Sequence, residues 1–279
     1  MKAALFEYVR PQTLKDGLLR LAEGQGAVKV MGGSQSLGPM LNLRLARPKV
    51  VVDCTALPEM RGVTDSGGVI RIGGAVTHAE IEDGVFPPLR GTLLQTVAAG
   101  IAYRAIRNCG TLAGSLAHAD PAADWVLTMM ALEAKLEVIS SGSKRMISMD
   151  LFMHGAYTTD LAEGELISTI HVPKLGNKAR WGYSKFCRKT GEFPEASCCA
   201  VFDPHRGFAR VVVGALDGAP QALTSIAAAV AESGAIPTRV DIDKALEVVA
   251  PRKDAIDRKL ITAAVLRCLE QVLGKEKTL

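Results

Sequence analysis

The chain has 279 residues, of which 48% are hydrophobic and 22% charged, and its formal net charge is +4. This composition excludes a disordered or fibrous protein and leaves room for two or three globular domains. A charge this small, with both signs mixed along the sequence, also excludes the basic footprint of a nucleic-acid-binding protein. Residues 1–7 reach a charge before an apolar stretch develops, and no uncharged apolar run approaches the length of a membrane span, so we expect a cytoplasmic protein.

The first fifty residues predict the order β-α-β-α-β. Apolar spacing of helical period alternates here with short runs rich in valine. The predicted elements are a helix over 14–21, a strand over 28–31, a short helix over 37–45 and a strand over 50–53.

A second group of elements begins near residue 56. Thr77 is followed three residues later by Glu80, which predicts a capped helix start. Pro121 suits the first turn of a helix, because its missing N–H costs nothing there. The other predicted elements are a strand over 68–74, a helix over 92–99, and strands over 135–139 and 165–172.

The segment 174–178 reads as a linker, and the chain beyond it has a different pattern. Strands are predicted over 181–188, 197–202 and 208–216, and alanine-rich helices over 224–233 and 254–273. Strands followed by helices predict a separate α+β domain.

The six cysteines form no CxxC pair and no spacing typical of a metal site. The adjacent Cys198 and Cys199 face opposite ways if they lie in a strand. We therefore expect plain buried thiols, and neither an iron–sulfur cluster nor a structural zinc in this chain. No metal ligands are predicted.

Two small-residue segments are the most informative features of the sequence. The first, Met31–Ser36, reads M-G-G-S-Q-S, and the second, Gly110–Asp124, reads G-T-L-A-G-S-L-A-H-A-D-P-A-A-D. Backbone N–H groups that no side chain obstructs favour anions, above all phosphate, so the two segments are predicted to hold the phosphates of a dinucleotide. For Gly32 and Gly33, a tight strand-to-helix turn remains the alternative.

The polar residues of the second segment allow more than one reading. Asp120 suits either a ligand contact or the cap of the helix opened by Pro121. Two roles are open for the Asp124 carboxylate: it stabilises the positive end of the helix dipole, or it accepts hydrogen bonds from the hydroxyls of a ribose. His118 has no nearby Ser or Cys in a nucleophile-elbow motif, so we expect it to have a structural role. The segments contain no G-x-G-x-x-G fingerprint, no Walker motif and no G-x-S-x-G elbow.

In this order, the segments resemble the FAD-binding medium subunit of the molybdenum hydroxylases, the family of xanthine oxidase and carbon monoxide dehydrogenase. Met31–Pro48 is similar to the family's A-G-G-x-S-L-x-P-x-x-x-L-R-L-A-x-P, and Gly110–Asp124 to its G-T-[IL]-G-G-[NS]-x-A-x-A-D-P-A-x-[DE]. Tyr183–Phe193 resembles a third motif, K-x-x-R-[KR]-x-G-D-[YWF]. Ala113 departs from the family's glycine, Glu192 from its aspartate, and Pro194 follows the aromatic residue.

The resemblance implies an α+β protein in three parts. Two α/β subdomains of the PCMH/VAO-type FAD-binding fold, residues 1–55 and 56–175, grip FAD between them. The third part, residues 178–279, is a C-terminal antiparallel-sheet-and-helix domain like that of the carbon monoxide dehydrogenase flavoprotein.

The resemblance also implies a set of cofactor-binding residues and no catalytic residue on this chain. The pyrophosphate and ribityl contacts fall on Met31, Gly32, Gly33, Ser34, Gln35 and Ser36 and on Thr111, Ala113, Gly114 and Ser115. Asp124 matches an acidic FAD contact, Ile101 an apolar neighbour and Leu166 a backbone contact. Lys185 matches a position near the flavin, and Phe193 an aromatic residue that can approach the isoalloxazine.

The implied activity is that of one subunit of an oxidoreductase. FAD on this chain receives electrons from an iron–sulfur subunit with two [2Fe-2S] clusters and passes them to a terminal acceptor. A large subunit carries the molybdopterin-type cofactor, and a dimer of heterotrimers is expected. Carbon monoxide, a purine and an N-heteroaromatic are all open as substrates, as is the acceptor.

Two other functions remain as alternatives to the electron-transfer subunit. One is a non-redox structural or nucleotide-binding subunit that kept the scaffold and lost the flavin. The other is a self-sufficient flavoenzyme, for which only His118 and Asp120 offer an acid or base.

Overall fold

The computed structural model describes residues 2–24 and 26–274, which divide into two compact units. The first unit contains the chain up to Ala119 together with Ala134–Pro173, and the second contains Asp120–Glu133 together with the chain from Lys174 onward. In chain order the elements are β1 (Glu7–Val9), α1 (Leu14–Glu23), β2 (Val28–Met31), α2 (Leu37–Asn42), β3 (Val50–Asp53), β4 (Val63–Asp65), β5 (Val69–Gly73), α3 (His78–Glu82), α4 (Leu93–Ala99), α5 (Arg104–Cys109), α6 (Leu112–His118), α7 (Asp124–Ala131), β6 (Lys135–Ile139), β7 (Lys144–Ser148), α8 (Met149–Phe152), β8 (Met153–Gly155), β9 (Thr158–Thr159), β10 (Leu166–Pro173), β11 (Arg180–Phe186), β12 (Ala196–Asp203), β13 (Phe208–Gly214), β14 (Gln221–Ala222), α9 (Thr224–Ser233), α10 (Arg239–Val249) and α11 (Ala255–Leu273).

The first unit contains a parallel sheet and an antiparallel sheet. Strands β1, β3 and β2 pair in that order, all parallel, with β3 in the centre. Strands β4, β5, β10, β6 and β7 form the antiparallel sheet. Because β2 runs parallel to β3, its carboxyl end opens directly into the small-residue segment at Gly32, the position where parallel sheets place their ligands.

The second unit is an antiparallel sheet covered by helices. Strands β11, β12, β13 and β14 pair in that order. Alternate residues of β12, from Ala196 to Phe202, join one core with residues of α9, α10 and α11. Helix α7 also packs against β12 and β13, and β12 is buried along its whole length. Since side chains alternate across a strand, the remaining face of β12 is the one that α7 covers.

Most of the predicted elements are present, but two predicted boundaries differ and several elements of the structure were not predicted. The helix predicted to open at Pro121 begins at Asp124, because residues 121–123 form a turn in which Asp120 accepts from the Ala122 N–H at 2.9 Å. Much of the predicted second turn is helical, since α6 begins at Leu112 with Thr111 as its N-cap. Helices α5, α8 and α10 and strands β4, β7, β8, β9 and β14 have no counterpart in the sequence prediction. The predicted division into 1–55, 56–175 and 178–279 stays a prediction.

The cysteines follow the expectation in part. Cys54, Cys198, Cys199 and Cys268 are buried free thiols, and Cys198 and Cys199 are both fully covered on opposite faces of β12. Cys109 is exposed and Cys187 is partly exposed, so the expectation of burial is wrong for these two. None of the helices in the described part of the chain combines the length and the apolar character needed to cross a bilayer.

Candidate functional site

The segment after β2 offers a run of backbone donors. Among the described residues, the N–H groups of residues 32–36 have no acceptor within the chain, and these residues are half-buried. Ser34 has φ 61°, in the left-handed region, and the Gln35 side chain donates to the Gly33 carbonyl at 2.8 Å. A left-handed residue within such a run gathers successive N–H groups into a concavity that favours an anion.

Gly32 and Gly33 are needed for packing and not for an unusual φ. A methyl group on Gly32 would lie 2.5 Å from the Thr111 hydroxyl and 3.4 Å from the Gly114 Cα. A methyl group on Gly33 would lie 2.7 Å from the Gly110 Cα and would overlap the Cys109 carbonyl. The first segment and the beginning of the second, from Gly110 to Gly114, therefore lie directly against each other within the first unit, as the prediction of a shared site requires.

The second segment does not offer the backbone donors that its sequence predicts. The N–H groups of Leu112 and Ala113 donate to the carbonyls of Val76 and Gly74 at 3.0 and 3.1 Å. The Gly114 N–H donates to the Thr111 hydroxyl, and the Ser115 N–H donates to the Thr111 carbonyl. These four donors are occupied by the N-cap and by the chain before α3, so the prediction that they are open is wrong.

Ala113 takes the place of a family glycine without obstructing the segment. It is buried, and its methyl lies close to Gly74, at 3.0 Å from the position that a methyl there would take. The side chain therefore points into the interior of the first unit.

Thr111 holds the start of α6, and its removal is expected to destabilise the chain. Its hydroxyl accepts from the Gly114 N–H at 3.2 Å, and the residue is 3% exposed. We expect Thr111→Ala to lower the free energy of unfolding by about 1 kcal/mol, the ordinary cost of a lost N-cap. Urea denaturation of this variant beside Thr111→Ser, which keeps the hydroxyl, measures the effect. An equal loss in both variants would contradict a capping role.

Two further residues of the first unit have defined surroundings. Ile101 lies half-buried in the loop before α5, and Arg107 donates to its carbonyl at 2.8 Å while pairing with Glu82 at 2.7 Å. The hydrogen bonds from Arg107 hold the pKa of Glu82 below its usual range. Leu166 is 3% exposed, packs in the core with Val52 and pairs with Ile139 in the antiparallel sheet.

Asp53 lies at the end of β3, next to Met31 in the sheet. Its carboxylate accepts from the Tyr8 hydroxyl and from both the N–H and the hydroxyl of Thr55. Burial alone would raise the pKa of Asp53, but these hydrogen bonds hold it below its ordinary value. These hydrogen bonds among Tyr8, Asp53 and Thr55 stabilise the edge of the sheet from which the first segment emerges, a role that no sequence pattern predicts.

Asp124 and Lys185, both in the second unit, form an ion pair. The Lys185 ammonium lies 2.6 Å from Asp124 Oδ1, and the Tyr183 hydroxyl donates to the same oxygen at 2.5 Å. Asp124 is 8% exposed and is the first residue of α7, where the helix dipole favours a carboxylate. Burial and the neighbouring carboxylate raise the pKa of Tyr183 well above its ordinary value. Sequence reasoning missed Tyr183, although its i, i+2 spacing from Lys185 in a strand was the available signal.

The remaining candidates are scattered. Phe193 lies in the loop between β11 and β12 and is 62% exposed. His118 packs its ring 5.1 Å from that of Tyr157, which agrees with a structural role. Within residues 2–24 and 26–274, no three His, Cys, Asp or Glu side chains are arranged to hold a metal ion.

Comparison with known proteins identifies close relatives. Residues 4–175 match the family described as the FAD binding domain in molybdopterin dehydrogenase. The chain is 36% identical to the nicotine 6-hydroxylase medium subunit of Paenarthrobacter nicotinovorans, over 78% of this chain and 77% of that one. It is 32% identical to the carbon monoxide dehydrogenase medium chain of Hydrogenophaga pseudoflava, over 70% and 68% of the two chains. A solved structure of carbon monoxide dehydrogenase from the same organism superposes with a TM-score of 0.89 at 27% identity, covering 98% of both chains.

Proposed function

This chain belongs to the FAD-binding medium subunits of the molybdenum hydroxylase family, and we propose that it is the electron-output subunit of a heterotrimeric enzyme of that family. In this proposal it receives electrons from an iron–sulfur subunit and passes them to a terminal acceptor. Relatives of this chain are medium subunits of enzymes named for nicotine and for carbon monoxide, so the family leaves the substrate open.

The observation that supports FAD binding most directly is the run of open N–H groups at residues 32–36. The run follows a parallel strand, is packed against the second small-residue segment and has no acceptor of its own in the described chain. A pyrophosphate supplies the anionic oxygens that such donors lack. The residues present therefore fit the phosphate portion of FAD.

The proposed contributions of the chain are binding and orientation. Backbone donors of residues 32–36 hold the pyrophosphate, the Asp124 carboxylate accepts from a hydroxyl of the cofactor, and Lys185 places a positive charge near the flavin. Bound FAD supplies a ring that accepts and releases electrons singly or in pairs. The full proposed set is Met31, Gly32, Gly33, Ser34, Gln35, Ser36, Ile101, Thr111, Ala113, Gly114, Ser115, Asp124, Leu166, Lys185 and Phe193. Because the N–H groups of Ala113, Gly114 and Ser115 are engaged within the chain, these three residues are proposed to contact the cofactor through other atoms.

The proposed partners carry the other cofactors. A large subunit would hold the molybdenum cofactor, a small subunit would hold two [2Fe-2S] clusters, and the assembly would be a dimer of heterotrimers. The domain division 1–55, 56–175 and 178–279 belongs to the same proposal.

The first test measures which flavin the full chain binds. Denatured purified protein should release FAD in a 1:1 ratio by HPLC. Titrations of the flavin-free chain should rank FAD above FMN and FMN above riboflavin. We expect riboflavin to bind at least about 100-fold more weakly than FAD, because it lacks the anionic oxygens that charge-assisted hydrogen bonds require. Equal affinities would overturn the assignment of residues 32–36. A chain that binds no flavin, alone or with its partners, would favour the structural-subunit alternative.

The second test concerns the direction of electron flow. In the complex purified with its partner subunits, removal of FAD should leave reduction of the iron–sulfur clusters by substrate intact and abolish reduction of the terminal acceptor. Loss of both reactions, or of neither, would contradict an output role for this chain.

A further inference from the structure

The two oxygens of the Asp124 carboxylate have different surroundings. Oδ1 accepts two hydrogen bonds, one from the Tyr183 hydroxyl at 2.5 Å and one from the Lys185 ammonium at 2.6 Å. Oδ2 accepts none from any described residue, and it is not sealed away from solvent. The carboxylate is therefore half satisfied, with one oxygen held and the other available.

The two donors reach Asp124 because of the geometry of β11. Tyr183 and Lys185 are two residues apart on this strand, so their side chains leave the same face of the sheet. Asp124 begins α7, which packs on β12, the neighbour of β11, and on β13. The Tyr183 backbone is fixed as well, since its N–H donates to the Gln271 side chain at 2.8 Å.

The two donors differ in how firmly they hold the carboxylate. Lys185 carries a flexible four-carbon stem and a point charge that attracts either oxygen. Tyr183 is a rigid ring with one directional donor, and its raised pKa keeps the hydroxyl protonated in neutral and mildly alkaline solution. The ammonium alone permits the carboxylate to rotate and offer either oxygen to it, whereas the phenol fixes Oδ1 as its acceptor and leaves Oδ2 without a donor from the described residues.

We propose that Tyr183 is a positioning residue that orients the Asp124 carboxylate so that Oδ2 accepts a hydroxyl group of the bound flavin nucleotide. This proposal rests on the proposed function, because it takes Asp124 to be a contact of FAD. Tyr183 itself touches no cofactor in it and acts only through Asp124.

The test is a double-mutant cycle in the full chain, with FAD as the probe and its dissociation constant measured by quenching of flavin fluorescence. We expect Tyr183→Phe to weaken FAD binding about tenfold, the scale of one hydrogen bond to a charged group. Asp124→Asn should weaken it by at least as much. Because Tyr183 acts through Asp124, the double variant should bind FAD no more weakly than Asp124→Asn alone.

A matched control separates positioning from stability. Thr262 is fully buried in α11 and donates to the Asp243 carboxylate at 2.6 Å, so Thr262→Val also removes a hydroxyl-to-carboxylate bond from the second unit. Thr262→Val should lower the melting temperature and leave the FAD dissociation constant unchanged. The proposal is overturned if Tyr183→Phe binds FAD as the unmodified chain does, if the effects of Tyr183→Phe and Asp124→Asn add, or if Thr262→Val weakens FAD equally. Failure of the unmodified chain to bind FAD would instead overturn the proposed function.

Discussion

Replacing Gly33 with alanine is expected to abolish FAD binding and to destabilise the first unit by about 3 kcal/mol or more. The added methyl would lie 2.7 Å from the Gly110 Cα and would overlap the Cys109 carbonyl. Both obstacles are backbone atoms, so no side-chain rotation can relieve the overlap. The two small-residue segments would have to separate, and the donors of residues 32–36 would move with them.

Gly142→Ala provides the matched control for this variant. It lies in the turn between β6 and β7 of the same unit, and a methyl there would meet no atom within 4 Å. We expect its free energy of unfolding, from urea denaturation, to stay within about 1 kcal/mol of the unmodified value, and its FAD affinity to be unchanged. A Gly33→Ala chain that retains FAD and unfolds with the unmodified protein would show that the close approach of the segments is not required.

The elements that the sequence predicted are those whose residues carry their own signal. Strands β2 and β3 are short valine-rich runs, and α3 has the capping pair Thr77 and Glu80, which forms both expected hydrogen bonds. The structure bears out these assignments because local pattern and tertiary burial agree there. Helix α10 has no counterpart in the prediction, although Thr238 and Asp241 form a capping box of the same kind and mark its start in the sequence.

The site was predictable only in outline. The glycines of the first segment predict backbone N–H groups that no side chain obstructs. In the structure these glycines serve close packing as well, and the residue with positive φ is Ser34. Which backbone donors remain open is a tertiary property. The N–H groups of Leu112 and Ala113 donate to the carbonyls of Val76 and Gly74, which lie more than 30 residues away in sequence. No local sequence pattern predicts these hydrogen bonds.

The pairing of Asp124 with Tyr183 and Lys185 illustrates the same limit. Each residue could be placed on a helix start or a strand from its neighbours. Their meeting depends on the packing of α7 against the sheet of the second unit, across about 60 positions of sequence. Sequence spacing could show that Tyr183 and Lys185 share a face, and only the structure identifies the carboxylate that this face meets.

His78 is expected to make the first unit sensitive to mild acid. Burial, assisted by the nearby Arg107 guanidinium, lowers the pKa of His78 from 6.5 to about 4. The unfolded chain therefore takes up this proton more readily than the folded one, so stability is fully present above pH 6.5 and is lost as the pH falls towards 4. The loss between pH 7 and pH 5 amounts to about 2 kcal/mol.

Protonation of His78 is expected to disturb the contact with Gly110. The backbone N–H of His78 donates to the Gly110 carbonyl at 2.9 Å, and the imidazole ring lies against Gly110. Urea denaturation at pH 7 and pH 5 should show the decrease in the unmodified chain. His78→Gln, which carries no titrating group, should show a decrease about 2 kcal/mol smaller. His171, whose pKa is also lowered by burial, is present in both chains and cancels in the comparison. If the free energy of unfolding has the same pH dependence in the two chains, protonation of His78 does not destabilise the fold. Acid would then leave the contact between the first segment and Gly110 intact.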